Sequence, residues 1–261
     1  LGTDVLALHL KREPRFYATI AAPGLYWQRG VYDSYNMIVD SYRGGAFGLK
    51  QDRINGDYEQ NITGYYIKKG TRSEFTSSYS NDIMSFAANV HVVIRLAELY
   101  LIAAEAWNEY EGPNGVHRTQ IFDRLNAIRE RAGLSTVQDS WGRYGINPNK
   151  FNEQVGLRDI IRRERTIELA FEGFRRDDLR RWKTAETELI GAIKGIKLKG
   201  SEYENLDVLN EGNPGLTDEN GFLIVEPAEN RNFVTPKHYY YSLPLDELYL
   251  NPNLAPNNPG W

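Results

Sequence analysis

The chain has 261 residues, a net charge of −4 and no cysteine. Without thiols there is no disulfide, zinc–thiolate site, iron–sulfur cluster or cysteine nucleophile, and the acidic balance argues against a nucleic-acid partner. Hydrophobic residues at 41% and charged residues at 25% exclude wholesale disorder, and no apolar run reaches the ~18 residues that a membrane-spanning helix needs.

Residues 1 to about 85 are rich in Tyr, Gly, Ser, Asn and Asp. Nine of the 17 Tyr fall before residue 80, which points to aromatic surface as well as core. Ile62 to Ile67 reads as a short strand, and Gly44-Gly45, Asn55-Gly56 and Lys69-Gly70 read as turns. Loops and small hairpins are expected in this zone.

Residues about 86 to 195 read as helical. Val93, Leu96, Ala97, Tyr100, Leu101 and Ala104 recur at helical spacing between Val90 and Trp107, and Gly112-Pro113-Asn114-Gly115 ends that helix. A second helix runs from about Arg118 to Ala132 with the stripe Ile121, Leu125 and Ile128, and Gly133 stands at its C-terminal cap. The pair forms an antiparallel hairpin of tetratricopeptide type, with Ala103, Ala104 and Ala106 allowing close approach. Residues 134–153, with Trp141, Tyr144 and Pro148, are expected as a loop. A third helix is expected from about Gln154 to Glu172, with Leu157, Ile160, Ile161, Ile167 and Phe171 on its apolar face, and Gly173 breaks it before helix resumes at Arg175. Residues 196–261 carry prolines at 227, 236, 244, 252, 256 and 259, so no regular helix is expected in the tail.

Glu164, Glu168 and Glu172 share one helix face. Two carboxylates can act as acid and base in glycoside hydrolysis, but from facing elements across a cleft. A partly buried ion-pair network with Arg162, Arg163, Arg165, Arg175 and Arg176 is the expected arrangement. His9, His91, His117 and His238 are scattered, so neither a histidine metal site nor a cofactor is expected. No phosphate-binding glycine loop and no nucleophile elbow is present.

Sugars present an apolar C–H face and a ring of hydroxyls, so their sites combine flat aromatic rings with polar edges. Tyr26, Trp27, Tyr32, Tyr35, Tyr42, Tyr65 and Tyr66 are candidate rings, and Asp33, Asn36, Asp40 and Arg43 are candidate edge groups.

Several stretches, taken together and in order, resemble the SusD/RagB family of nutrient-binding outer-membrane lipoproteins of Bacteroidetes. Arg12 to Ile20 is similar to the family segment DPRFYATI, with Glu13 replacing Asp. Ile94 to Ala106 is similar to the helix RLAEVYLIYAEA. Asn126 to Gly133 and Ile161 to Trp182 resemble the next two signatures, and Tyr240 to Trp261 resembles the family's C-terminus. The family is about twice as long, so the resemblance covers its C-terminal half. It implies a mainly α-helical fold with irregular loops and small β-hairpins, organised as a loop-and-hairpin lobe (1–85), a helical core (86–195) and an irregular tail (196–261). The shared motifs mark the fold and carry no ligand residues.

By the same resemblance the protein captures oligosaccharide, or in some members peptide, without cleaving it. It hands the cargo to a SusC-like TonB-dependent transporter at the cell surface, held by a lipid anchor outside this chain. Two other readings stay open at this point: a glycoside hydrolase using paired carboxylates, and a helical scaffold that binds only protein.

Overall fold

A computed structural model describes residues 5–27, 38–42, 45, 61, 63–70, 92–196, 217–219, 221–226 and 230–261. The chain divides into two compact units, each drawn from two segments: Leu1–Val39 with Tyr66–Gly173, and Asp40–Tyr65 with Phe174–Trp261.

In the first unit, Pro14 opens α1 (Pro14–Thr19) at a position whose N–H has no helical partner anyway. The chain continues as β1 (Ile20–Ala21), which pairs antiparallel with β2 (Tyr66–Ile67), Ala21 standing opposite Tyr66. The strand expected from Ile62 is therefore confined to its last two residues. Just upstream, the Asn61 side-chain oxygen accepts the N–H groups of Thr63 (2.9 Å) and Gly64 (2.8 Å). That local turn uses backbone groups that a longer ladder would need.

The helical core follows. α2 (Leu96–Glu111) starts later than its apolar pattern suggests, because Arg95 stands extended at the N-cap. Ala97, Leu101, Ala104 and Asn108 form its buried face. α3 (Arg118–Arg131) buries Ile121, Phe122, Leu125 and Ile128, and α5 (Gln154–Glu168) buries Leu157, Ile160 and Ile161. α2 packs against both, and burial of each large aliphatic side chain contributes about 1.5–3 kcal/mol. The end of α3 is a Schellman cap: Gly133 lies at φ 72°, its N–H donates to Glu130 O (2.9 Å) and the N–H of Leu134 donates to Arg129 O (2.9 Å). Gln154 ties α5 to the end of α2 by donating to the carbonyls of Asn108 (2.7 Å) and Glu109 (3.1 Å).

Two expectations are corrected in this unit. Residues 137–144 are helix, not loop: α4 (Val137–Tyr144) is capped by Thr136, whose hydroxyl accepts the Asp139 N–H at 3.0 Å. α5 stops at Glu168, and Phe171 leaves the apolar face, being 53% exposed at φ 65°.

In the second unit, α6 (Arg175–Arg181) and α7 (Ala185–Glu188) bury Leu179, Trp182 and Ala185, with Leu189, Phe233 and Tyr239 packed on them. β3 (Ile193–Gly195) pairs antiparallel with β4 (Leu223–Glu226). The tail corrects a third expectation, because it holds a helix of its own, α8 (Leu245–Leu250), with Pro244 at the N-cap, where a missing N–H costs nothing. Its turns are clamped by side chains: Asn257 bonds both the N–H (2.8 Å) and the carbonyl (3.2 Å) of Leu243, and the Trp261 indole donates to Lys237 O at 3.1 Å.

Candidate ligand-binding lobe and buried charge cluster

The carboxylates of Glu164, Glu168 and Glu172 are the most charged feature of the first unit. They form an ion-pair network, and several of its cations come from distant segments of the chain. Arg15 donates to Glu164 (2.9 Å) and Glu168 (3.5 Å). Arg95 donates to Glu168 (2.7 Å) and Glu172 (2.6 Å). Arg129 pairs with Glu164, Arg131 with Glu168 and Lys69 with Glu172. Of the neighbouring arginines, Arg163 is exposed, Arg165 is buried, and Arg175 pairs with Glu188 at 3.1 Å.

Burial alone would raise the pKa of Glu168, but hydrogen bonds from Arg95 and Arg131 outweigh it and hold the carboxyl below its ordinary value. Glu172 is likewise lowered against its burial, by Arg95 and Lys69. Burial works to lower the Arg15 pKa, yet Glu13 and Glu164 hold it above the ordinary arginine value. Glu168 and Glu172 are thus held in their charged form by the cations around them. Each of the four chain segments bearing the first four family-like motifs contributes at least one member.

The aromatic lobe begins where β1 ends. Gly24 (φ 80°) turns the chain, and a short antiparallel ladder follows: Gly24 N–H donates to Val39 O (2.9 Å), Val39 N–H donates to Leu25 O (2.8 Å), and Tyr26 bridges Ile38. The β1–β2 pairing brings a second ring to this edge. Trp27 and Tyr66 meet edge to face, with centroids 6.3 Å apart and planes at 83°, an arrangement that aromatic quadrupoles favour. The Lys68 ammonium donates to the carbonyls of Tyr17 (3.2 Å) and Tyr26 (3.5 Å), and burial lowers its pKa.

Of the candidate ligand residues, Tyr26 and Trp27 stand together in this lobe and both are half-buried. Asp40 and Tyr65 are also half-buried, in the second unit. Tyr42 is only 4% exposed, so its ring is a packing residue with no free face for a ligand. Tyr32, Asp33, Tyr35, Asn36 and Arg43 lie outside the described residues, as does His91. Tyr66, also among the candidate rings, is the one that meets Trp27. A register shift of one residue exchanges Tyr65 for Tyr66, and no local signal fixes the register of so short a strand.

Among the described residues no group of His, Cys, Asp and Glu could hold a metal ion. Of the histidines, His9 is buried and His117 stacks on Trp107 with centroids 5.1 Å apart. His238 accepts the Val234 N–H through Nδ1 at 2.9 Å.

The architecture is that of a mainly α-helical protein built on a tetratricopeptide-type hairpin with short, irregular β elements. The model of the SusD family matches residues 2–261, and the chain belongs to that family. SusD-like protein P2 of Formosa agariphila is 33% identical over 171 residues, covering 66% of this chain and 26% of the relative. SusD-like protein P25 of the same organism is 42% identical over 91 residues, covering 35% of this chain and 15% of the relative. The fold is similar to a SusD-like carbohydrate-binding protein from Bacteroides fragilis, with a TM-score of 0.65 at 24% identity over 95% of this chain and 42% of that one. A second SusD-like protein from B. fragilis gives a TM-score of 0.63 at 25% identity over 97% and 39%. The chain therefore spans less than half the length of the proteins it matches.

Proposed function

We propose that this chain captures oligosaccharide at the outer-membrane surface and passes it to a SusC-like TonB-dependent transporter without cleaving it. The observation that carries the reading is the Trp27–Tyr66 pair, two half-buried rings set edge to face in the lobe of a SusD-family protein. Such a pair gives a sugar one indole face for its C–H groups, while backbone and side-chain polar groups around it meet the hydroxyls. Tyr26, Tyr32, Tyr35, Asn36, Arg43 and Tyr65 remain candidate ligand contacts, and the buried Tyr42 is set aside. Attachment to the membrane is through a lipid anchor outside this chain; no helix among the described residues is long and apolar enough to cross a membrane.

Hydrolysis is the weaker reading for a specific reason. A glycosidase acid must hold its proton near neutral pH, which calls for a raised pKa. Glu168 and Glu172 are held the other way by guanidinium and ammonium groups. The test is calorimetric titration with an oligosaccharide panel, comparing the chain with Trp27→Ala and assaying the bound glycan for shortened products.

A further inference from the structure

A cleft of about 610 Å³ opens in the first unit between α4 and α5. Its size lies in the ordinary range for ligand sites, roughly 300–1,000 Å³, and it contains none of the residues of the aromatic lobe. One wall is the face of α5 that repeats at helical spacing: Ile160, Arg163, Glu164 and Ile167. The opposite wall is Ser140, Trp141 and Tyr144 of α4. Gly145 follows α4 so closely that a Cβ there would stand 2.9 Å from the Trp141 ring, which fixes the indole against its own backbone.

Almost every charge that lines the cleft is already paired. Glu164 and Arg129, 5% and 8% exposed, bond each other on the floor. Glu13 is held by Arg15 at 2.8 Å. Lys150 lies 5.4 Å from the centre of the Trp141 ring and pairs with Asp159 at 2.9 Å. Arg163 is different: it is exposed at the mouth and has no hydrogen-bond or ion-pair partner among the described residues. The cleft thus offers an indole platform, an aliphatic wall and one uncommitted guanidinium. An indole takes the C–H face of a pyranose. A guanidinium takes a carboxylate through two parallel hydrogen bonds.

We propose that this cleft is a second saccharide site, distinct from the Trp27 lobe, and that it selects a sugar ring carrying a carboxylate. The proposal rests on the capture reading for its cargo class and on the cleft alone for its place and charge preference.

The test follows the tryptophan indole N–H signals by two-dimensional NMR, with the Trp141 signal assigned through Trp141→Phe. The probes are the methyl glycosides of glucuronate and galacturonate and the neutral methyl glucoside and galactoside, which differ from them at C6. Saturable shifts of the Trp141 signal are expected with at least one uronide, roughly tenfold tighter than with its neutral partner, as a charged hydrogen bond predicts. Added salt weakens that preference. Arg163→Gln removes the preference and leaves the other indole signals in place, which separates lost recognition from lost fold. A Trp141 signal that no uronide moves, or one that neutral and acidic glycosides move equally, overturns the proposal. Neutral oligosaccharides that perturb Trp27 while every uronide leaves Trp141 unmoved would sink this site and leave capture standing. Uronide binding at Trp141 with no glycan response at Trp27 would keep this site and remove the lobe.

Discussion

Arg15 and Glu164 are separated by 149 positions in the chain, yet their side chains meet at 2.9 Å with both residues almost fully buried. Arg15 sits on α1 and Glu164 on α5. Arg129 closes on the same carboxylate from α3, and Arg95 reaches Glu168 from the start of α2. The result is an electrostatic hub that ties α1, α2 and α3 to α5. The family-like motifs thereby acquire a physical meaning: each carries charges that are costly to bury without the others.

This hub predicts unequal costs for similar substitutions. Glu168 is 4% exposed in its side chain and Arg131 is 60% exposed. Removing one partner of a buried ion pair costs about 3–5 kcal/mol, whereas an exposed partner is worth at most about 1 kcal/mol. Urea unfolding should therefore show Glu168→Ala far less stable than Arg131→Ala. Equal losses would mean that the hub is not dry enough to act as a unit.

The same carboxylates set an acid limit. Glu168 and Glu172 titrate below the ordinary 4.5 in the folded protein. Groups with depressed folded pKa values stabilise the fold fully above their unfolded pKa, and that stabilisation disappears as pH falls through the folded value. Thermal melting should be level from neutrality down to about pH 5 and should decline below about 4.5. Glu172→Gln should make the decline shallower. A profile unchanged by that substitution would assign the acid limit to other groups.

Two glycines should respond in ways that helix propensity alone would not rank. Gly133 has open space around its missing Cβ but lies at φ 72°. Gly133→Ala should cost about 1–2 kcal/mol through the left-handed backbone alone. Gly156 is inside α5, where alanine is normally about 1 kcal/mol better. A Cβ there would fall 2.1 Å from the Lys150 carbonyl oxygen, so Gly156→Ala should destabilise instead. A more stable Gly156→Ala protein would show that the turn at Lys150 yields readily.

The outer face of α2 presents Leu96, Leu99 and Ile102, each at least 45% exposed. Contiguous apolar surface of this kind binds hydrophobic dyes. The chain should bind such a dye, and a variant with all three changed to Ser should bind much less while keeping its helical circular dichroism. Dye binding that is absent from the start, or unchanged in the variant, would mean that this face is covered.

α2, α3 and α5 were legible because their contacts are periodic. Leu101, Ile121, Leu125, Leu157 and Ile160 repeat at helical spacing, and all are buried. Gly133 marked its cap for the same local reason. α4 is short, and only Val137 of the stripe Val137, Trp141 and Tyr144 is buried; its clearest signal is Thr136 followed three residues later by Asp139. The cation partners of Glu168 were out of reach for another reason. Arg15 and Arg95 approach it from 153 and 73 residues away, and no local pattern encodes such distances. In the lobe, Trp27 stood out by composition, while its contact with Tyr66 depends on strand register.

The most direct test of the central claim is calorimetric titration of the chain and of Trp27→Ala with a panel of oligosaccharides, followed by analysis of the recovered glycan. The account predicts saturable binding of one glycan class, weakened roughly tenfold or more by the substitution, with the glycan recovered intact. Undiminished binding by Trp27→Ala, or recovery of shortened products, would contradict it.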